Sequence, residues 1–258
     1  MRIASIQMEI HDDMQKTNTI ARAEKFINEI GTTDLVILPE IWNIGYFSFD
    51  KYIAESETRD GETITRMRSK ANEKRVHILA GSIVEKENGR LYNTSFLIGP
   101  SGEILGKYRK MHLFGYGSRE NQLLTRGEDI CAIDTELGTF GLSTCYDLRF
   151  PELFRKLIDR GAEIILTVSA WPYPRLEHWL LFNRVRAVEN QAFLVSSNCV
   201  GINRSVQFCG HSMIVDPWGT VVASGGDEEC IVTAEINLDK VRYIRKQFPV
   251  LKERILVC

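Results

Sequence analysis

Through the first two thirds of this 258-residue chain, short apolar runs that end in a turn former alternate with stretches of helical period. Such alternation points to strands and helices taking turns along a mixed or parallel sheet, an α/β fold. Residues 3–8 read as a strand; Ile20, Ala23, Ile27 and Ile30 then recur at helical spacing until Gly31 stops them. Residues 35–38 form an apolar run closed by Pro39, the pattern of a buried strand ending in a loop. Ile64, Met67 and Ala71 share a helical face, with Thr63 as its expected cap. A strand is expected over 78–84, and strands over 95–98 and 104–108 flank GPSGE as a hairpin. A strand over 140–144 precedes a helix that Pro151 and Glu152 open and Gly161 closes, and another strand covers 164–168. The helix predicted over 176–189 carries Leu180, Leu181, Val185 and Val188 nearly all round, so it is expected to be covered on more than one side. After residue 192 come short strands at 193–196, 212–215, 220–223 and 231–236, with DPWG and SGGDEE as turns. A last helix has Asn237 as cap and Val241, Ile244 and Phe248 on one face. With no long linker, repeat or low-complexity stretch, one α/β domain over residues 1–258 is expected, its tail docking outward on a neighbour.

Charge and composition narrow the class of partner. The net charge of −2 gives no electrostatic reason to expect nucleic acid or a membrane surface. No run of about 18 apolar residues suggests a transmembrane helix. The start MRIASIQMEI lacks the apolar stretch and cleavage site of an export leader. The cysteines at 131, 145, 199, 209, 230 and 258 form no CxxC pair, so reduced thiols in a cytoplasm are expected. Cys199 and Cys209-Gly-His211 lack the close pairing of a zinc site, and there is no Gly-rich phosphate loop, so neither metal nor cofactor is expected.

One cysteine stands out by its context. The strand FGLST runs straight into Cys145, and a helix opens a few residues later at Pro151. A nucleophile on such a strand-to-helix turn is exposed at the sheet's carboxyl edge, with backbone N–H groups near a developing oxyanion. A free cysteine is otherwise a small core residue, the reading given to the other five. A thiol of pKa about 8.5 needs a base or cation nearby. The chain offers either a histidine (His11, His77, His112, His178 or His211) or a lysine–carboxylate pair, and spacing along the chain does not decide between them. Glu40 follows the run LVILP at a strand's end, where α/β folds place functional groups. Lys110 lies in KYRKMHLF after the second hairpin strand. Taken singly, Glu40 reads more readily as a solvated loop carboxylate and Lys110 as part of a solvated basic face.

LPE at 38–40, YRKMHLF at 108–114 and CYDLRFPE at 145–152 occur in this order at wide spacing, followed by RAVENQ at 186–191 and GHSMIVDPWG at 210–219. The set resembles the nitrilase superfamily, whose members use a Glu–Lys–Cys triad, and it covers nearly the whole chain. The resemblance implies a four-layer α-β-β-α sandwich with mixed sheets, and homodimers formed through the helices starting at Pro151 and Leu176. It implies Cys145 as nucleophile, Glu40 as general base, Lys110 as the charge that steadies thiolate and oxyanion, and the Tyr146 N–H as an oxyanion donor. Glu120 matches a second glutamate that amidase branches carry beside the triad. Asp147 and Arg149 are expected to pair and hold the elbow. SAWPYPRLEHW followed by RAVENQ is most similar to the bacterial ω-amidase branch, which releases ammonia from 2-oxo acid amides such as 2-oxoglutaramate or 2-oxosuccinamate. A carboxylate-bearing substrate wants a cation, expected at Arg175. Tyr46, Phe47, Phe114, Tyr116 and Trp171 are expected pocket walls. An N-carbamoyl amino acid hydrolase, an aliphatic amidase or a deaminated-glutathione amidase would use the same triad. A Cys–His hydrolase and a non-catalytic binding protein on this fold are the competing classes.

Overall fold

The computed structural model describes residues 1–256, so Cys258 lies outside the described residues. The elements run β1 (Arg2–Gln7), β2 (Glu9–His11), α1 (Lys16–Glu29), β3 (Leu35–Ile37), α2 (Tyr52–Glu55), α3 (Glu62–Lys74), β4 (His77–Glu87), β5 (Arg90–Ile98) and β6 (Ile104–Arg109). They continue with α4 (Glu120–Leu123), β7 (Ala132–Thr135), β8 (Gly138–Thr144), α5 (Pro151–Asp159), β9 (Ile164–Ser169), α6 (Leu176–Asn190) and β10 (Phe193–Asn198). The last are β11 (Val200–Asn203), β12 (Val206–Gln207), β13 (Met213–Val215), β14 (Val221–Ser224), β15 (Cys230–Glu235) and α7 (Asp239–Gln247).

Two six-stranded sheets carry the fold, ordered β15-β1-β3-β4-β5-β6 and β14-β13-β10-β9-β8-β7. They share one logic. Each has three parallel strands at its centre, β1-β3-β4 or β8-β9-β10, and antiparallel strands outside them. The central strands β3, β9 and β10 are buried along their whole length, as near-continuous apolar runs covered on both faces should be. The sheets meet face to face, and hydroxyls stitch them together. Ser5 Oγ donates to the Ser196 carbonyl at 2.8 Å, and Ser197 Oγ to the Ile6 carbonyl at 2.6 Å. Small side chains there let the central strands β1 and β10 approach closely, and each hydroxyl satisfies itself on the opposite sheet. Ile20, Ala23 and Ile27 of α1 and Ile64, Met67 and Ala71 of α3 cover the first sheet from outside. Leu153, Phe154 and Leu157 of α5, with Trp179 and Ala187 of α6, cover the second. The result is the expected α-β-β-α layering.

Local details depart from the sequence reading in informative ways. Gly61, not Thr63, stands at the N-cap of α3. Thr63 is the second residue of the helix, where its N–H and hydroxyl both donate to the buried carboxylate of Glu57, so Glu57 supplies the cap from outside the helix. At α7 the cap position is Leu238, while Asn237 accepts the Asp239 N–H just before it. Val241 and Ile244 are buried, but Phe248 has left the helix face and packs against Trp218. Helix α6 turns Asn183, Arg186 and Asn190 inward, where they bond main-chain carbonyls, and leaves Leu181 58% and Val188 41% exposed. Strand β5 starts at Arg90, five residues before the predicted start. Asn88 and Gly89 both take positive φ (50° and 75°), the tight turn that folds β4 back on β5.

Candidate active site

Strand ends from both sheets converge on one small volume. In the first sheet β3 runs into Pro39 and Glu40, and β6 ends one residue before Lys110. In the second, β8 runs into Cys145 and β9 into Ala170 and Trp171. The Glu40 N–H donates to the Ser169 carbonyl, which joins the two strand ends directly. Cys145 (φ 48°) and Ile41 (φ 42°) both take the left-handed backbone that side-chain-bearing residues avoid, at about 1–3 kcal/mol each. Strain of this kind turns the Cys145 side chain out of the sheet edge.

The carboxylate of Glu40 is fully enclosed and well supplied with donors. Its Oε1 accepts from Lys110 Nζ at 2.9 Å and from Asn93 Nδ2 at 2.8 Å, and its Oε2 from the Ala170 N–H at 2.9 Å. Cys145 shares a hydrogen bond with the same carboxyl group, and its sulfur faces the Ala170 N–H. Lys110 Nζ also reaches both oxygens of Glu120, at 3.0 and 2.9 Å. Glu120 further accepts from Asn93 Nδ2 at 2.9 Å, the Tyr46 hydroxyl at 3.1 Å and the Phe114 N–H at 2.7 Å. Glu40, Lys110 and Glu120 are entirely buried, whereas Cys145 remains 8% exposed. One ammonium thus serves two carboxylates away from water, and the sulfur is the reactive atom within reach of a small molecule.

Electrostatics follow from that enclosure. Burial pushes the Glu40 carboxyl above the ordinary carboxylate range; the Lys110 charge opposes the rise and the Glu120 charge adds to it. Burial also drives the Cys145 thiol well up, helped by the Glu40 charge and opposed by Lys110. Burial acts to lower Lys110, but Glu120 and Glu40 outweigh it and hold the ammonium well above its usual value. The resting arrangement is therefore a neutral thiol beside a carboxylate that is an improved base.

Asp147 ties the elbow to the loop that carries Lys110. Its Oδ2 accepts from the Thr144 N–H at 2.9 Å and the Tyr108 hydroxyl at 2.7 Å. Its Oδ1 meets the His112 N–H at 3.1 Å and the His112 imidazole at 2.7 Å. The expected Asp147–Arg149 pair is thus absent. Side chains two apart on the short 3-10 helix Cys145–Arg149 point in different directions. His112, stacked on Phe150 with ring centres 3.8 Å apart, is committed to Asp147. The partners gathered at the sulfur are the lysine and the carboxylate. Tyr146 follows Cys145 at the head of that same 3-10 helix, where N–H groups have no carbonyl partner within the helix.

The sulfur opens into a small pocket lined by Tyr46, Phe47, Phe114, Tyr146, Trp171, Arg149 and Arg175. Tyr116, an expected wall, is instead 81% exposed and outside that lining, because the segment turns outward after Phe114. Trp171 both lines the pocket and donates its ring N–H to the Arg175 carbonyl at 2.9 Å. Arg175 lies over the Phe114 ring. Arg149, expected to pair with Asp147 and not to line the pocket, lies over Trp171 and Phe182 and meets His178 Nδ1 at 3.2 Å. Among the described residues no carboxylate pairs with either guanidinium. Burial and the neighbouring Arg175 charge lower the Arg149 pKa, so an anion between the two cations would be welcome. Among the described residues no cluster of three or more His, Cys, Asp or Glu is placed to hold a metal ion, and no helix is long and apolar enough to cross a membrane.

Comparison with known proteins identifies the family and the fold. The carbon-nitrogen hydrolase family profile matches residues 2–246. A 2-oxoglutaramate amidase of Bacillus subtilis is 38% identical over 97% of this chain and 96% of its own length. A 2-oxoglutaramate amidase of Paenarthrobacter nicotinovorans is 35% identical over 98% of this chain and 88% of its own. Among solved structures, Saccharomyces cerevisiae Nit3, a member of branch 10 of the nitrilase superfamily, superposes with a TM-score of 0.89 at 32% identity, covering 99% of this chain and 97% of that one.

Proposed function

The chain belongs to the carbon–nitrogen hydrolase family, and from that premise we propose that it is an amidohydrolase of the ω-amidase type, releasing ammonia from a small amide that also bears a carboxylate. The observation that carries this reading is the pair of guanidinium groups, free of carboxylate partners among the described residues, in the pocket onto which the Cys145 sulfur opens. A carboxylate at one end of the substrate neutralises Arg149 and Arg175, and the amide at the other end meets the sulfur. The full-length similarity to two 2-oxoglutaramate amidases supports the same substrate class.

In the proposed reaction Glu40 takes the thiol proton as Cys145 attacks the amide carbon. The carbonyl oxygen becomes an oxyanion facing Lys110 and the Tyr146 N–H, donors of a kind worth about 3 kcal/mol each. Glu40 returns the proton to the leaving ammonia and later activates water against the thioester. Glu120 keeps Lys110 aimed at the reacting atoms. Residues 1–258 act as one domain in this reading. The exposed Leu181 and Val188 on α6, with the exposed Trp218 and Phe248 rings in contact nearby, support a homodimer whose contact includes the helices starting at Pro151 and Leu176.

Ammonia release from 2-oxoglutaramate and succinamate, compared with that from an uncharged aliphatic amide, tests the reading. Arg175→Ala is expected to raise KM about 10- to 100-fold for the ω-amido acids and much less for the uncharged amide. Equal loss on both classes would remove Arg175 from carboxylate recognition.

A further inference from the structure

Strand β5 contributes a residue that neither the triad nor the pocket lining includes. Asn93 is buried and touches Glu40, Glu120 and Lys110 together. Its carbonyl accepts the Lys110 N–H at 2.9 Å, and its side-chain Nδ2 donates at once to Glu40 Oε1 at 2.8 Å and Glu120 Oε1 at 2.9 Å. Its own Oδ1 has no partner. The amide cannot turn over to relieve that oxygen, because the flip would set a carbonyl against two carboxylates. A leucine of similar size would avoid the orphaned oxygen altogether, so packing alone does not account for an asparagine here.

We propose that Asn93 is a positioning residue for proton transfer, its amide filling Glu40 Oε1 and Glu120 Oε1 together so that the thiol proton of Cys145 is received at Glu40 Oε2. The inference rests on the reading of Cys145 as nucleophile and Glu40 as base. A carboxylate oxygen offers two in-plane acceptor sites. At Glu40 Oε1 both are taken, by Lys110 and Asn93. At Oε2 one is taken by the Ala170 N–H, which leaves the other for the Cys145 thiol. Glu120 cannot compete for the proton, because Lys110, Asn93, Tyr46 and Phe114 occupy its oxygens with five contacts. The S–H bond then breaks as the O–H bond forms at Oε2, and the sulfur's electron pair goes to the amide carbon. Asn93 also offsets the repulsion between two carboxylates that share a single ammonium. The charged and titratable groups facing it are Glu40, Glu120 and Lys110, with Tyr46 and Cys145 beyond them.

The test is the pH profile of Asn93→Leu and Asn93→Ser in the full-length protein, read both as kcat/KM for ammonia release and as the rate of Cys145 alkylation by iodoacetamide, located by peptide mass. Loss of a donor to ionised Glu40 raises its pKa, so the acid limb of both profiles should move up by about one pH unit in Asn93→Leu. Its kcat should fall about 10- to 100-fold while KM stays within about twofold. Asn93→Ser, which keeps one hydroxyl donor, should lie between Asn93→Leu and the native protein. Folded variants with unmoved acid limbs would overturn the proposal, as would failure of both variants to fold, which would assign Asn93 to stability. Alkylation needs no substrate turnover, so it judges Asn93 even where ammonia release fails. Conversely, ammonia release undiminished in Cys145→Ala would sink the underlying reading with no reference to Asn93.

Discussion

At the scale of single residues, function here comes from what each enclosed polar group lacks as much as from what it holds. Cys145 lacks charge at rest, and Glu40 lacks water. The rate should therefore depend on pH in a defined sense. Burial raises the Glu40 pKa, so the basic carboxylate is lost as pH falls through a value above the usual carboxylate range. kcat/KM should drop on the acid side earlier than a solvated glutamate would allow, and an initial-rate profile from pH 4 to 8 checks this. Cys145→Ala should abolish ammonia release while leaving thermal unfolding within a few degrees of the native protein. Local patterns only flagged Glu40 and Cys145; the family resemblance joined them with Lys110, and the structure brings the three side chains together. Asn93 and Arg149 were not legible. Arg149 sits two residues from an aspartate, and only the shape of the turn shows that Asp147 reaches across to Tyr108, His112 and Thr144 instead. Asn93 belongs to the part of β5 that sequence patterning left out, although Asn88-Gly89 marks a hairpin turn plainly enough to have extended the strand.

Among elements, the strands were read closely and the helix caps poorly. Strands declare themselves by apolar runs, whereas a cap is decided by whichever acceptor reaches the first turn, and Glu57 does so from outside α3. Strand β4 shows how an element fixes the position of the Glu40 side chain. Its register slips between Leu79 and Ser82, and Gly81 there has φ 65°. A Cβ at Gly81 would sit 2.0 Å from the Pro39 carbonyl, next to Glu40. Gly81→Ala should therefore destabilise the protein by about 2–4 kcal/mol, the sum of overpacking and an unfavourable backbone region, and a lowered Tm checks it. On the β4–β6 edge, Arg109 and Lys107 both grip Glu87 and pull its carboxyl down to about 2. Its pKa lies below the unfolded value, so its contribution to stability is present above pH 4.5 and vanishes as pH falls toward 2. A carboxyl titration followed by NMR should place Glu87 near 2, and Arg109→Met should return it toward 4.5.

For the molecule as a whole, the proposed dimer predicts that Leu181→Glu, a charge set on the exposed side of α6, yields a monomer in sedimentation equilibrium while the secondary structure persists. The layered α/β plan was readable from alternating runs. The inward polar face of α6 was not, since hydrophobic periodicity does not foresee that Asn183, Arg186 and Asn190 will find main-chain carbonyls to bond. The deepest consequence lies in how the site is divided between the sheets. Glu40 and Lys110 ride on one sheet and Cys145 on the other, with Ser5 and Ser197 fastening the two together. A polypeptide nicked at the exposed Glu128–Asp129 loop would leave base and sulfur on separate fragments, neither competent by itself. Mixing the fragments would restore turnover only as the halves reunite, so product formation becomes a clock for that reunion.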